Sequence, residues 1–255
     1  MGKNSKIALV TGGSRGLGKN MALRIAEKGI DIILTYNSSK GEALEVVAEI
    51  ERRGQKAAAL PLNVGQISSF DGFIATLAGT LKEKFNAEKF DFLVNNAGMN
   101  FVIPSFAATT EEQFDELLNV HYKGVFFLTQ KSLPYLNDEG GIINLSSGLT
   151  RITYPGSGTY ASMKGAIEIL SKYLAKELGP RGINVNVIAP GAIATDFSGG
   201  RLKNSPEMQA HLKAITAIPR IGQAEDIGGI AAFLCTPDAK WITAQRIEAS
   251  GGISL

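Results

Sequence analysis

Seven short apolar runs alternate with stretches of helical period, and this alternation restricts the fold more than any other feature of the chain. The runs are Ile7-Ala8-Leu9-Val10, Ile32-Ile33-Leu34-Thr35-Tyr36, residues 57–62, Phe92-Leu93-Val94, and residues 141–146, 183–188 and 245–249. Continuous apolar character suits strands covered on both faces, as in a parallel sheet. Between the runs, apolar residues recur three and four positions apart. Leu17, Met21, Ile25 and Ala26 form one stripe; Ala43, Val46, Val47 and Ile50 a second; Phe70, Phe73, Ile74, Leu77 and Leu81 a third. Phe114, Leu117, Leu118, Val125, Phe126 and Leu133 predict one long fourth helix. Ala166, Ile169, Leu170, Tyr173 and Leu174 predict a fifth, and Ile227, Ile230, Ala231 and Leu234 a sixth. Such alternation predicts a doubly wound α/β fold: a seven-stranded parallel sheet with right-handed crossovers and helices on both faces.

No repeat, linker or low-complexity tract interrupts the pattern, so residues 1–255 read as a single domain. A core of that size needs no disulfide or metal staple. Cys235 is the one cysteine; it falls on a helical stripe and reads as a small core residue. A chain without a disulfide framework fits a reducing, cytoplasmic compartment. The net charge of +2 argues against nucleic acid or an anionic membrane as partner. No apolar run is long enough to span a bilayer, and the first is too short for a signal-peptide core. Asn144-Leu145-Ser146 spells a glycosylation sequon, read as chance because it falls in a predicted buried strand. Residues 191–217 stand apart: rich in Gly, Ser, Thr and charge, with a short helix expected after Pro206. Connections of that length are usually lids or binding loops.

Thr11-Gly12-Gly13-Ser14-Arg15-Gly16-Leu17-Gly18 follows the first strand and opens the first helix. The pyrophosphate of a dinucleotide needs backbone N–H groups at a helix N-terminus and no Cβ in the way. Glycines alone make an ordinary turn; the place between strand and helix is what a Rossmann-type dinucleotide site requires. A carboxylate ending the second strand would hold a free ribose 2′-hydroxyl and repel a 2′-phosphate. Here the strand ends Thr35-Tyr36-Asn37-Ser38-Ser39-Lys40 without an acid, and Arg15 stands in the turn. A guanidinium pairs well with phosphate. The pattern favours NADP(H), with NAD(H) as the alternative; the plain reading of Arg15 is a solvated surface charge.

Tyr160 and Lys164 are four residues apart at the start of the fifth helix, which puts both on one face. A free phenol, with a pKa of about 10, is a poor proton donor or acceptor near neutrality. A neighbouring ammonium stabilises the phenolate and makes it usable. The spacing alone proves little, because Tyr36 and Lys40 share it. What separates the pairs is Ser147, thirteen residues before Tyr160 and just past the fifth strand, where Leu23 is the counterpart for Tyr36. Ligands of open α/β sheets bind at that carboxyl edge. The only histidines are His121, read as structural on a helix, and His211, in the variable loop. No His, Cys and carboxylate cluster points to a metal.

With these residues in view, the chain resembles the short-chain dehydrogenases/reductases of standard length. The likeness spans nearly the whole sequence: the glycine turn 11–18, Asn95-Asn96-Ala97-Gly98, Asn119, Ser147, Tyr160 with Lys164, and Pro190-Gly191 followed by Thr195. The resemblance implies roles. Tyr160 is the general acid/base, and Lys164 tunes it and holds the nicotinamide ribose. Ser147 orients the substrate oxygen, and Asn119 holds a water linking Lys164 to solvent. Gly12, Ser14, Arg15, Gly16, Leu17 and Gly18 cradle the phosphates; Tyr36, Asn37 and Ser38 flank the 2′ position. Asn63, Val64, Asn95, Ala97 and Gly98 border the adenosine, and Pro190, Gly191, Ile193 and Thr195 the nicotinamide. Three positions depart from the family pattern: Asn63 for a frequent Asp, Ala244 for a common Gly, and Ser250 for an Asp.

The expected activity is hydride transfer between NADP(H) and a small carbonyl or alcohol. A 3-oxoacyl-(acyl-carrier) reductase shares the whole site, and a non-catalytic dinucleotide sensor is the alternative of another class. The family's enoyl reductases use a wider Tyr–Lys spacing, and its longer epimerases need a C-terminal substrate domain. Met99, Asn100, Leu149, Arg151, Tyr154, Ala192 and the loop 197–218 are expected around the substrate. Arg151 reads as a group to attract an anion or as a solvated charge. Trp241 reads as a core residue or a subunit contact. The fourth and fifth helices are expected to form a homo-oligomer face, in a dimer or tetramer.

Overall fold

The computed structural model describes residues 5–200 and 202–255. Its strands are β1 (Ile7–Val10), β2 (Asp31–Tyr36), β3 (Ala57–Pro61), β4 (Phe90–Asn95), β5 (Leu136–Leu145), β6 (Asn184–Pro190) and β7 (Arg246–Ala249). They form one sheet in the order β3-β2-β1-β4-β5-β6-β7, every neighbouring pair parallel. The chain reverses its direction of travel across the sheet between β1 and β4. That reversal opens a crevice at the carboxyl ends of the strands.

The two faces follow from side-chain alternation. Ala8, Val10, Ile32 and Leu34 point to one face, where they meet Met21 and Ile25 of α1 (Gly16–Ala26), Val46 and Ile50 of α2 (Lys40–Arg52), and Ile227 and Ala231 of α8 (Glu225–Leu234). Ile7, Leu9 and Ile33 point to the other, against Phe70 and Leu77 of α3 (Phe70–Thr80) and the helices α5 (Gly124–Ser132) and α6 (Gly158–Leu178). Cys235 is enclosed with the first group, and burial pushes its thiol pKa up, as a core residue requires.

Three local expectations need correction. The long fourth helix is two: α4 (Glu111–Leu118) and α5, joined by a π-helical turn at Asn119–Lys123. Its start is fixed by a capping box between Thr110 and Gln113, which leaves Phe114 43% exposed rather than on the core stripe. On α6 the buried face is Tyr160, Met163, Lys164, Ile167, Ser171, Ala175 and Leu178, whereas Ile169 and Tyr173 are exposed. The buried polar members explain the offset. The Asn144 amide donates to the Ser171 hydroxyl at 2.9 Å, and the Ser171 hydroxyl donates to the Ile167 carbonyl at 2.7 Å. Trp241 is not a core residue: it is 99% exposed.

The segment 191–217 contains α7 (Pro206–Ala214), started by the Ser205 side chain accepting from the Met208 N–H. Its end is stitched to the C-terminal tail. The Ala217 and Ile218 N–H groups donate to the Gly252 and Gly251 carbonyls at 3.1 and 2.9 Å. Among the described residues no helix is long and apolar enough to cross a membrane, and no His, Cys, Asp and Glu cluster has the makings of a metal site.

Candidate active site

The glycine turn lies at the carboxyl end of β1, and the neighbouring segment holds it in place. The Thr11 hydroxyl accepts the N–H groups of Asn96 and Ala97 at 2.9 and 3.0 Å, while the Asn96 amide donates to the Thr11 and Gly12 carbonyls. Gly12 sits at φ 64°, and a methyl on it would stand 2.9 Å from the Ala97 Cα. A methyl on Gly18 would overlap the Gly12 carbonyl, which is what lets α1 start hard against the turn. No side chain caps α1 and no acid lies in its first turn, so its amides and positive end are left for an anion. This cradle fits a dinucleotide pyrophosphate.

The remaining cofactor candidates gather along the same edge. Arg15, Asn37, Ser38 and Asn63 are exposed there, Tyr36, Gly16 and Leu17 half-buried, and Ser14 buried. The Asn63 side chain accepts the Gly65 N–H at 2.9 Å, fixing the turn after β3. Val64, Ala97 and Asn95 line one recess with Thr11. The Asn95 amide, however, is turned inward: it donates to the Thr129 hydroxyl and the Asn144 side-chain Oδ1 at 3.1 and 2.8 Å. Gly98 lies beside the His121 ring. Beyond Pro190, the Gly191 N–H donates to Ala249 at 3.0 Å, Ile193 bridges to Gly222, and Thr195 comes within 4 Å of where a Gly16 methyl would stand.

Tyr160 and Lys164 are buried on the first turns of α6, with the Lys164 nitrogen 5.7 Å from the Tyr160 ring centroid. That ammonium donates to the Leu145 carbonyl at 2.8 Å, where β5 ends. Burial raises the Tyr160 pKa above its ordinary value, opposed by a hydrogen bond with the Ser147 hydroxyl. Burial lowers that of Lys164 to about 7. The lysine was expected to depress the phenol. Desolvation of the enclosed phenol is the larger effect, and the Ser147 hydrogen bond is what opposes it. Asn119 opens the π turn, which packs on α6, but shares no direct hydrogen bond with Lys164 among the described residues.

Two features at the site escaped sequence reasoning. The first is how near His121, read as structural, lies to Tyr160. Its ring meets Tyr160 edge-on with centroids 5.0 Å apart, and its Nε2 lies 2.6 Å from the Met99 carbonyl. Its place within the π turn was the missing signal. The second is an ion-pair chain, Arg151–Glu248–Arg246–Glu168, that runs beneath Ser147. Arg151 grips Glu248 through Nε and Nη2 at 2.9 and 2.7 Å, and Nη1 and Nη2 also reach the Ser254 and Ile253 carbonyls. Arg151 is an exposed charge, as one of its two readings had it, and its ion pair with Glu248 means that it is not a free anion-binding group.

The surroundings of Tyr160 are otherwise apolar. Ile103, Leu117 and Met163 are buried with it, Met99, Phe101 and Leu149 pack against them, and the Phe197 ring lies 6.1 Å away. A cleft of about 460 Å³ opens beside the start of α6, lined by Phe106, Tyr154 and Pro155 with Ser105, Thr109, Thr153 and Thr159. His211 is exposed on α7.

Known proteins match the chain over nearly its whole length. A family model described as Enoyl-(Acyl carrier protein) reductase matches residues 12–254. A 3-oxoacyl-acyl-carrier-protein reductase of Staphylococcus aureus is 36% identical over 258 residues, covering 99% of this chain and 100% of its own. The structure of an angucycline C-6 ketoreductase with bound NADP superposes with a TM-score of 0.92 at 36% identity, over 99% of this chain and 97% of that one. The promiscuous reductase LugOII, which catalyses keto-reduction at C1 in lugdunomycin biosynthesis, gives 0.92 at 38% identity over 100% of both chains. The chain belongs to the short-chain dehydrogenase/reductase family of oxidoreductases.

Proposed function

We propose that the protein is an NADP(H)-dependent reductase of small, uncharged carbonyl compounds that also oxidises the matching alcohols, with Tyr160 as general acid/base. The observation that carries this reading is the buried Tyr160–Lys164 pair, with Ser147 on the phenol, beside the glycine cradle. When bound, the nicotinamide dinucleotide supplies or accepts the hydride. Burial keeps the Tyr160 proton in place, the state needed to give it to a carbonyl oxygen. The Ser147 hydroxyl orients that oxygen, and the Lys164 ammonium stabilises the phenolate left behind. Asn119, by family likeness, holds the water that returns the proton.

An acid-free end to β2, an exposed Arg15 and the NADP of the angucycline ketoreductase support NADP(H). Arg151, committed to Glu248, is not itself free for a substrate carboxylate. A second reading, reduction of 3-oxoacyl chains on an acyl carrier, is favoured by the S. aureus relative. We place the chain in the cytoplasm, as one domain that assembles into a dimer or tetramer; the exposed Ile169, Tyr173 and Trp241 support the last point.

The test is a turnover screen of ketones, 3-oxoacyl thioesters and sugars, with NADPH and NADH side by side. We expect a ketone to be reduced with at least about a tenfold preference for NADPH in kcat/KM. Preference for NADH overturns the cofactor assignment, and cofactor binding without any turnover favours the sensor reading.

A further inference from the structure

The turn that carries Ser147 is held on three sides by a single ion pair. Arg246 projects from β7 with only 23% of its side chain exposed, and Glu168 projects from α6 with 17% exposed. The guanidinium uses all three nitrogens. Nε donates to Glu168 at 2.7 Å and Nη1 to Glu248 at 2.9 Å. Nη2 donates to the Ser147 carbonyl at 3.2 Å and to the Thr150 hydroxyl at 3.0 Å. The same Glu168 oxygen accepts the hydroxyls of Ser146 and Thr150, at 2.5 and 2.7 Å. The pair therefore grips the residue before Ser147, its own carbonyl, and the residue that closes its turn.

A half-buried, fully hydrogen-bonded pair of this kind fixes geometry far better than a solvated surface pair. The planar fork of arginine matters, because an ammonium cannot bond Glu168, Glu248, Ser147 and Thr150 in one plane. Within the turn itself the Ser147 carbonyl also accepts the Thr150 N–H and hydroxyl, at 3.2 and 2.9 Å, and the Ser147 hydroxyl accepts the Leu149 N–H at 3.2 Å; Arg246 is what ties that carbonyl to β7. Two arginines, Arg151 and Arg246, balance two glutamates, Glu168 and Glu248, so the chain is closed and attracts no ligand of its own.

We infer that Arg246, acting with Glu168, is a positioning residue: it sets the direction of the Ser147 hydroxyl toward the substrate oxygen. The inference rests on the proposed carbonyl reduction. Misplacing an orienting group by about 1 Å lowers turnover by as much as roughly a hundredfold while leaving remote binding intact. Arg246 touches no residue of the glycine cradle, so cofactor affinity stays outside its reach.

A double-mutant cycle with Ser147 separates positioning from general support of the fold. Arg246→Met is made in the wild type and in Ser147→Ala, with kcat and KM read on the ketone that wild type reduces best. NADPH affinity is read by fluorescence. We expect Arg246→Met to lower kcat about 10- to 100-fold in the wild type but less than about threefold once the serine hydroxyl is gone. The Kd for NADPH stays unchanged, and Arg246→Lys restores only part of the loss. Equal losses in both backgrounds, or wild-type kcat in Arg246→Met, overturn the role. Should Arg246→Met not fold, Glu168→Gln replaces it in the same cycle; should Ser147→Ala be too slow to measure, Ser147→Thr does. A wild type that reduces no carbonyl with either nicotinamide sinks the functional reading. An active wild type with additive losses sinks the Arg246 role alone.

Discussion

The rings of His121 and Tyr160 meet edge to face, 5.0 Å between centroids and 89° between planes. His121 is buried, and its Nδ1 has no partner among the described residues. Burial first, and the Lys164 charge second, push its pKa down to about 3, against a smaller lift from the Met99 carbonyl. Between pH 6.5 and 3 the unfolded chain therefore binds a proton that the folded protein refuses. Stability is lost as pH falls through that window. His121→Gln, which cannot titrate, is expected to show a shallower fall of Tm from pH 6.5 to 4 than wild type. Parallel slopes would contradict the buried, neutral imidazole.

Lys164 predicts the opposite limb of the profile. Burial holds its pKa at about 7 in the fold, against 10.5 when solvated. From pH 7 upward the unfolded chain keeps a proton that the folded protein has released, so stability rises with pH. Tyr160 works the other way, but only above about pH 10, because its phenol is raised. Without cofactor, the Tm of wild type relative to Lys164→Met should climb between pH 7 and 9.5. A flat difference would show that the ammonium is solvated.

Ala244 stands at φ 58°, a left-handed backbone that suits glycine. The family likeness places a glycine there, so the substitution carries strain. Ala244→Gly is expected to stabilise the protein by about 1 kcal/mol, the left-handed penalty less the extra chain entropy of glycine. That raises Tm by about 2–4 °C in a chain of this size. A lower Tm would mean that the alanine methyl packs well enough to offset its backbone.

Arg15 is the cation of the glycine turn, and it is exposed. Arg15→Ser should weaken NADPH binding about tenfold, the loss of one charge-assisted contact to the 2′-phosphate, and leave NADH within about twofold. Equal weakening of both would assign Arg15 to the shared pyrophosphate instead.

What the sequence made legible is local. The seven strands, the glycine turn and the Tyr160–Lys164 spacing are encoded within one turn of helix or one run of strand, and these elements stand near where the pattern puts them, except that β5 already begins at Leu136, ahead of the expected run 141–146. The π turn at Asn119–Lys123 was hidden because helical periodicity holds on both sides of it. The buried face of α6 was misread because two of its members, Lys164 and Ser171, are polar and enclosed only through partners on β5. The Arg246–Glu168 pair joins residues 78 positions apart, a relation that no spacing rule reveals.

The central claim is that the Tyr160 hydroxyl delivers the proton that makes carbonyl reduction possible. Tyr160→Phe removes one oxygen from a buried ring and leaves its packing against His121 in place. Single-turnover NADPH oxidation with saturating ketone, measured beside NADPH affinity by fluorescence, tests it directly. The account predicts a rate lower by at least about a thousandfold with the Kd for NADPH unchanged. Reduction within about tenfold of wild type would contradict it.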